Sequence, residues 1–204
     1  MEWDWYDIRR MTDEEYRRWF WMMEEEKRRR VERFRREADR RRSVAADMLA
    51  RRMISAACGI PPEQVRLATE KGGKPYAPGS PLHFSLSHSG DLAVCGVDRR
   101  PVGIDVERIR PVNLKAARRI AAPEELTRLF GREPTPEDFR LTGDPELLDR
   151  FFELWTGKEA AGKLTGEGLL SGGRTPAELH YFRQIPGYLV CVATVKGSGG
   201  DGDG

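Results

Sequence analysis

The amino-acid sequence predicts an α+β fold built from two similar halves. In each half, segments with the spacing of amphipathic helices are followed by short apolar runs that are typical of strands. The strand-like run Gly90–Val97 (GDLAVCGV) also has an echo in Pro186–Ala193 (PGYLVCVA). Two apolar strands of similar composition arise readily by chance, so this echo does not by itself establish an internal duplication.

Length and hydropathy indicate a globular protein. The 204 residues are 39% hydrophobic, which is enough for one large domain or two small ones. The longest apolar stretches, such as Tyr188–Val192, are too short to cross a bilayer, and the acidic, aromatic N-terminus is unlike a signal peptide. We therefore expect a cytoplasmic protein that has no membrane partner.

Charge is unevenly distributed along the chain. The net charge of +2 is not that of a polycation that binds nucleic acid, yet Glu24–Arg42 holds ten Lys and Arg residues against six Asp and Glu. An anionic ligand could dock on this segment.

Strong helix formers dominate the first part of the chain. They predict two helices or one broken helix between Thr12 and Arg42, with Thr12 or Asp13 as the capping residue. A further helix is predicted over Asp39–Cys58, where apolar residues recur every three or four positions. Its first turns are expected to carry Arg40, Arg41 and Arg42 into solvent.

Strands and helices alternate in blocks after residue 60. The predicted strands are Val65–Ala68, His83–Ser87, Leu92–Asp98, Val102–Glu107 and Tyr188–Val195. The predicted helices are Leu114–Ile120, Pro123–Phe130 and Glu146–Leu164, with a proline-containing loop before the last of them. The Gly-rich end of the chain, 197–204, is expected to be a flexible tail.

A pair of carboxylates lies on one predicted strand. In Gly103–Glu107, strand alternation places Asp105 and Glu107 on the same face. Taken alone, this pattern is better explained as the solvent-facing edge of an amphipathic strand. Mg²⁺ prefers carboxylate oxygens, so the pair also suits a metal site.

A second pair of charged residues lies on the predicted helix Glu146–Leu164. Glu159 and Lys163 are four positions apart and share a helix face. An ordinary surface ion pair would explain this spacing. A third carboxylate beside a lysine could also complete a metal site with a general acid or a phosphate clamp next to it.

The segment Phe84–Gly90 (FSLSHSG) predicts a strand that gives way to a loop of small hydroxyl residues around His88. Such a loop can bring backbone N–H groups, hydroxyls and an imidazole to a phosphate or a ribose. A structural histidine is the plainer alternative. A Ser–His–Asp hydrolase is also conceivable, but Ser87 and His88 are adjacent and no nucleophile-elbow pattern is present.

These stretches resemble, in order and spacing, the motifs of the 4′-phosphopantetheinyl transferases of the surfactin-synthetase-activating type. Phe84–Gly90 is similar to the family's F-N-x-S-H-S-G, Val102–Glu107 to its (I/V)-G-(I/V)-D-(I/V)-E, and Trp155–Lys163 to its W-(T/S)-x-K-E-A-x-x-K. Gly73–Pro75 matches its G-K-P turn, and Arg33–Ser43 contains its R-F and D-x-x-R-(S/T) elements. Two positions depart from the pattern. Ser85 stands where the family usually has asparagine, and Gly162 is a poor helix former between the glutamate and the lysine of the last motif.

The resemblance implies a fold and a reaction. The fold would be a monomer of two similar α+β halves, 1–101 and 102–196, with the active site in the cleft between them. The reaction would move the 4′-phosphopantetheine arm of coenzyme A to a serine of an apo acyl or peptidyl carrier protein and release adenosine 3′,5′-bisphosphate. Such carriers serve fatty-acid, polyketide or nonribosomal peptide synthesis, and the motifs do not distinguish among them. Carrier choice is expected to depend on surface helices and loops around Asn113–Phe130.

The resemblance also implies roles for individual residues. Asp105, Glu107 and Glu159 would hold Mg²⁺, or alternatively Mn²⁺, against the pyrophosphate of coenzyme A. The base would be Glu159 or a metal-ordered water, and Lys163 would stabilise or protonate the leaving phosphate. The coenzyme A contacts implied by matching positions are Lys27, Arg30, Arg42, Ser43, Lys74, Ser87 and His88.

Two other interpretations remain at the level of the sequence. A protein that binds nucleic acid or an anionic surface would use the arginines of residues 27–42, but it would leave the three carboxylates and Lys163 without a role. A degenerate relative would bind coenzyme A or a carrier protein without catalysis. Retention of all three carboxylates and the lysine argues against this alternative.

Overall fold

Two three-stranded antiparallel sheets form the frame of the protein. The structure is a computed structural model that describes residues 1–70, 72–112, 114–140, 145–166 and 177–196, so the expected Gly-rich tail lies outside the described residues. The strands are β1 (Glu2–Asp7), β2 (Ala68–Thr69), β3 (Pro75–Tyr76), β4 (His83–Ser89), β5 (Leu92–Asp98), β6 (Val102–Arg108), β7 (Ala177–Phe182) and β8 (Tyr188–Val195). The first sheet has the order β1-β5-β4 and the second β6-β8-β7, while β2 and β3 pair separately.

Helices pack against both sheets, which confirms the predicted α+β class with two subdomains. They are α1 (Asp13–Met22), α2 (Glu25–Glu32), α3 (Glu37–Cys58), α4 (Leu114–Ile120), α5 (Pro123–Phe130), α6 (Pro136–Arg140) and α7 (Pro145–Thr165). Short 3₁₀ turns occupy Ile8–Arg10 and Pro62–Gln64. Among the described residues, none of these helices combines the length and the apolar character that a membrane span requires.

Helix α3 is the centre of the first half. Its residues Val44, Met48, Leu49 and Ile54 are fully buried in the core against β1, β4 and β5. Burial of each such side chain contributes about 1.5–3 kcal/mol, so this face fixes the helix on the sheet. The helix ends at Gly59, whose φ of 67° is the left-handed conformation that glycine adopts without strain.

Helix α7 lies directly on β6 in the second half. A Cβ atom at Gly103 of β6 would stand 2.0 Å from the carbonyl oxygen of Ala160 and 2.6 Å from the backbone nitrogen of Leu164. Only a residue without a side chain therefore permits this approach. The close contact holds Glu159 and Lys163, which lie in the same turns of α7, over β6, the strand that carries Asp105 and Glu107 and that we call the carboxylate strand.

Strands β4 and β6 join the two halves through side chains. We call this contact between β4 and β6 the joint. Successive residues of β4 bond with successive residues of β6 in the same order, so the two strands run in the same direction. In the described part of the chain, these strands are linked by serine hydroxyls of β4, which bond with backbone N–H groups and carboxylates of β6 where paired strands would use backbone hydrogen bonds. The bonded pairs are Ser85 with the N–H of Ile104 (3.1 Å), Ser87 with Asp105 (2.7 Å), and Ser89 with Glu107 (2.8 Å) and the N–H of Arg108 (3.1 Å).

A shared apolar core lies behind this joint. It combines Leu92 and Val94 of the first sheet with Val102, Ile104 and Val192 of the second. Because residues of both halves are buried in one cluster, the halves are packed firmly against each other rather than linked only by the chain.

Local differences from the sequence prediction have identifiable causes. Strand β4 runs on to Ser89 instead of giving way to a loop after Ser87, because all of its residues pair with β5. Strand β1 was not predicted, although Trp3 and Trp5 alternate with Glu2 and Asp4 in the pattern of a half-exposed strand. The segment Val65–Ala68 forms a strand only from Ala68, and α6 lies inside the predicted loop.

The expectation that Arg40, Arg41 and Arg42 project into solvent was wrong. The side chain of Arg41 is 19% exposed and binds Asp13 at 2.6 Å and Glu37 at 2.7 Å. Arg40 donates to the carbonyl of Phe34, and Arg42 is engaged in the site described below. Helical periodicity gave no sign of these partners, because most of them come from outside α3.

Because α7 lies so close to β6, replacement of two strand glycines by alanine should have unequal effects on stability. We expect Gly103→Ala to lower the free energy of unfolding by about 3 kcal/mol or more, because its Cβ would overlap backbone atoms that cannot rotate away. The matched control is Gly96→Ala in β5, whose Cβ would meet Ile104 at 3.5 Å, an ordinary contact. Its effect should stay within about 1 kcal/mol in denaturant unfolding. Equal losses in the two variants would contradict the close approach of α7.

Candidate active site

Asp105, Ser87 and Lys163 form a closed triangle of hydrogen bonds at the joint. The Ser87 hydroxyl donates to Asp105 Oδ1 at 2.7 Å. Lys163 Nζ donates to the same oxygen at 2.7 Å and to Ser87 Oγ at 2.9 Å. The three side chains come from β4, β6 and α7, so the triangle exists only when both halves are assembled.

The second oxygen of Asp105 is left without a partner. Asp105 is 3% exposed, and its Oδ2 atom is buried with no hydrogen-bond donor among the described residues. An unsatisfied carboxylate oxygen in the interior is costly, and native structures contain few of them. It marks a position where a cation or another donor would be stabilising.

Glu107 is held beside Asp105 on the same face of β6. The hydroxyl of Ser89 donates to its Oε2 at 2.8 Å. Burial raises the pKa of Glu107 to about 7, an effect that the Ser89 hydrogen bond opposes and the charge of Asp105 increases. Negative charge is therefore costly at this position when no cation is bound.

Glu159 belongs to the same electrostatic cluster. Its pKa is raised by burial and by the charge of Asp105, while Lys163 lowers it. Three carboxylates thus influence one another, and one ammonium group offsets part of their charge. Perturbed carboxyl groups of this kind are common at functional sites.

The residues fit a hard divalent cation by their donor chemistry. Such ions prefer carboxylate oxygens, and the site offers the unpartnered Oδ2 of Asp105 with Glu107 and Glu159 nearby. Among the described residues, however, no group of three or more His, Cys, Asp or Glu side chains is already gathered as a ligand set. In this arrangement Lys163 provides the positive charge at Asp105.

Arg42 and His88 are two further polar residues in this region. The guanidinium of Arg42 donates to the carbonyl oxygen of Gly90 and to Asp39. His88 on β4 keeps part of its surface exposed, but neighbouring protein atoms desolvate its ring. This desolvation, together with the charges of Arg42 and Lys163, lowers the pKa of His88. Both side chains are therefore near the end of β4, where the sequence predicted phosphate contacts.

Lys74 connects the first half to the end of α7. Its Nζ donates to the carbonyl oxygen of Leu164 at 2.8 Å, in the last turn of the helix that carries Glu159 and Lys163. Burial lowers the pKa of Lys74, and the charge of Glu70 opposes this. A lysine at a helix C-terminus also interacts favourably with the helix dipole.

Lys27 is part of a buried charge network in the first half. Its Nζ lies 2.9 Å from Asp47, a fully buried carboxylate that also accepts from Arg51 at 2.7 Å. Arg51 in turn bonds with Glu24 at 2.7 Å and with the carbonyl of Val65. Lys27 thus neutralises a buried acid, a role that the charge run in the sequence did not reveal.

The structure brings most of the predicted site residues together. Ser87, Asp105, Glu107, Glu159, Lys163, Arg42, His88 and Lys74 lie at or next to the joint. Within the described part of the chain, Lys27, the exposed Arg30 and the partly buried Ser43 form no hydrogen bond or ion pair with the Asp105 triangle.

Three residues of the site were missed at the level of the sequence. Ser85 and Ser89 bond with β6 alongside Ser87, and the hydroxyls at these alternate positions were a signal that all three share one strand face. The hydroxyl of Tyr188 accepts a hydrogen bond from the N–H of Asp91 at 3.0 Å. No local pattern could have indicated that long-range contact.

The charge network predicts different roles for two neighbouring cations of α2. We expect Lys27→Met to lower the free energy of unfolding by about 1–3 kcal/mol, because the buried Asp47 loses one of its two cations. Arg30→Met is the matched control. Among the described residues the exposed side chain of Arg30 forms no ion pair, so this substitution should change stability by less than about 0.5 kcal/mol. Denaturant unfolding measures both values, and a stable Lys27→Met protein would refute the structural role of Lys27.

Comparisons with known proteins agree with the resemblance that the motifs carry. Two family models match the chain in tandem: "4′-phosphopantetheinyl transferase, N-terminal" matches residues 9–99, and "4′-phosphopantetheinyl transferase superfamily" matches residues 101–188. The second match contains Asp105, Glu107, Glu159 and Lys163.

Named relatives support the same assignment. A 4′-phosphopantetheinyl transferase of Bacillus subtilis is 36% identical over 67% of this chain and 57% of its own length. The transferase psf-1 of Bacillus pumilus is 40% identical over 70% of this chain and also 57% of its own length, so the chain spans little more than half of these two relatives. The transferase Sfp of Bacillus subtilis strain 168 is 33% identical over 92% of this chain and 88% of its own. The chain therefore belongs to the 4′-phosphopantetheinyl transferase superfamily.

Proposed function

We propose that the protein transfers the 4′-phosphopantetheine arm of coenzyme A to a serine of an apo acyl or peptidyl carrier protein and releases adenosine 3′,5′-bisphosphate. The observation that carries this proposal is the buried Asp105, whose Oδ2 has no donor among the described residues, whose Oδ1 binds Lys163, and whose charge raises the pKa values of Glu107 and Glu159. A site of this kind suits a reaction between anionic phosphate groups, where positive charge has to be concentrated.

Asp105, Glu107 and Glu159 would hold Mg²⁺ or Mn²⁺. When bound, the ion would supply charge neutralisation at the pyrophosphate of coenzyme A. The raised pKa values of Glu107 and Glu159 support this assignment, because a bound cation would offset the burial and the repulsion by Asp105 that now disfavour their ionised forms.

The remaining chemistry falls to the protein's own groups. Glu159, with its raised pKa, accepts the proton of the carrier serine hydroxyl, directly or through an ordered water. The serine oxygen forms a bond with the β-phosphorus, and the bond from that phosphorus to the bridging oxygen breaks. Lys163 stabilises the negative charge on the departing phosphate or gives it a proton.

The first half supplies the groups that bind coenzyme A. In this proposal residues 1–101 form the half that holds the cosubstrate and residues 102–196 the half that holds the carboxylates. The contacts would come from Lys27, Arg30, Arg42, Ser43, Lys74, Ser87 and His88. Arg42, Lys74 and His88 have the best support, since Arg42 and His88 lie at the end of the strand that carries Ser87 and Lys74 bonds with the end of α7. The enzyme would act as a cytoplasmic monomer without nucleic-acid or membrane partners.

A mass measurement tests the proposed reaction. Incubation with Mg²⁺, coenzyme A and a panel of apo carrier proteins should increase the mass of a carrier by one phosphopantetheine arm. We expect Asp105→Asn and Glu159→Gln to reduce the rate at least about a hundredfold, because each removes a charged group from the reacting centre. The matched control is Glu153→Gln on the same helix, whose carboxylate binds Arg183 at the surface, and it should keep near-full activity.

Two outcomes would contradict the proposal. If wild-type protein added no mass to any carrier, the reaction itself would be wrong. If Asp105→Asn transferred the arm as fast as Glu153→Gln, the carboxylate cluster would not be the catalytic centre.

A further inference from the structure

The turn between β4 and β5 is held from three sides. Gly90 and Asp91 form this turn immediately after His88 and Ser89. The carbonyl of Gly90 accepts from Arg42 of α3, and the carbonyl of Asp91 accepts from the N–H of Ile8 at 2.8 Å. Both of these contacts come from the first half.

The third contact crosses from the second half. The N–H of Asp91 donates to the hydroxyl of Tyr188 at 3.0 Å. Tyr188 is the first residue of β8, where it pairs with Arg108 at the end of the carboxylate strand, and its ring packs against the shared apolar core. The hydroxyl therefore ties the turn to the sheet that carries Asp105 and Glu107.

The ring of Tyr188 also limits what can occupy the turn. A Cβ atom at Gly90 would lie 2.5 Å from the tyrosine oxygen and 3.3 Å from its Cε1 atom. Gly90 in addition has a φ of 56°, a backbone conformation that residues with a side chain rarely adopt. The turn and the tyrosine are thus in direct contact, and no space for a side chain is left between them.

The same turn controls two groups that the proposed function assigns to coenzyme A. Arg42 is anchored on the carbonyl of Gly90, and His88 lies two residues before it. A shift of the turn would move the anchoring carbonyl of Arg42 and the end of β4 together. Ser89 holds the end of β4 on β6, and the hydroxyl of Tyr188 adds a contact from the same sheet to the turn itself.

We infer that Tyr188 is a positioning residue for coenzyme A binding, because its hydroxyl fixes the Gly90–Asp91 turn against which Arg42 and His88 are placed. The inference rests on the proposed function. It assigns to Tyr188 a role in cosubstrate affinity and none in the reacting centre, since the tyrosine acts through the turn.

The test is Tyr188→Phe, which keeps the packed ring and removes only the acceptor of the Asp91 N–H. Titration calorimetry with coenzyme A and Mg²⁺ should show a dissociation constant about five- to tenfold higher than that of wild type, the factor that corresponds to one hydrogen bond if the released turn has to be ordered again on binding. In the transfer assay, KM for coenzyme A should rise by a similar factor, while kcat stays within about twofold.

Tyr181→Phe is the matched control. Tyr181 lies on β7 of the same sheet, and its hydroxyl donates to the carbonyl of Glu153 in α7 at 3.1 Å, away from the turn. This variant should lose thermal stability to a similar or greater extent than Tyr188→Phe but bind coenzyme A with wild-type affinity. A purely structural role of Tyr188 would make the two variants alike.

The outcomes separate the inference from the proposed function. Wild-type protein that fails to bind coenzyme A would overturn both. Wild-type binding with unchanged affinity in Tyr188→Phe would overturn the inference alone, as would a loss of affinity that Tyr181→Phe shares or a fall in kcat without a change in KM.

Discussion

The hydrogen bonds between the serines of β4 and strand β6 are the constraint on which the candidate site depends. One edge of β6 pairs with β8, and the other edge faces β4, where the N–H groups of Ile104 and Arg108 need acceptors. Serine hydroxyls of β4 meet that need and also bind the carboxylates of Asp105 and Glu107. The same contacts therefore close the joint between the halves and orient the acidic groups, so that assembly and site formation are one event.

This construction leaves the carboxylates under electrostatic strain. The joint is backed by an apolar core, so the acids lose solvation when the halves pack together. Lys163 offsets part of the charge at Asp105, but Asp105 Oδ2 stays unpartnered and the pKa values of Glu107 and Glu159 stay raised. A cation would relieve all three effects. We regard this strain as the physical basis of the metal binding that we propose for this site.

Periodicity and motif spacing predicted the parts of the protein that depend on local sequence. The bounds of β5, α4, α5 and β8 were predicted correctly, and strand alternation correctly grouped Asp105 with Glu107. Contacts between distant segments were not predictable in the same way. The pairing of β1 with β5, the Lys27–Asp47 ion pair and the Tyr188–Asp91 bond each join residues that no periodicity connects. The motifs thus indicated the residues of the proposed site, and the packing of the two halves determined which of their charges already have protein partners.

The most direct test of this account is the difference in free energy of unfolding between wild-type protein and Glu107→Gln. With its pKa raised from the ordinary value of 4.5 to about 7, Glu107 binds protons more tightly in the folded state, so wild-type stability is lost as the pH rises through that interval. In metal-free buffer, Glu107→Gln should therefore gain stability relative to wild type between about pH 5 and pH 8, and Mg²⁺ should reduce that gain. A difference that is independent of pH and of Mg²⁺ would contradict the account.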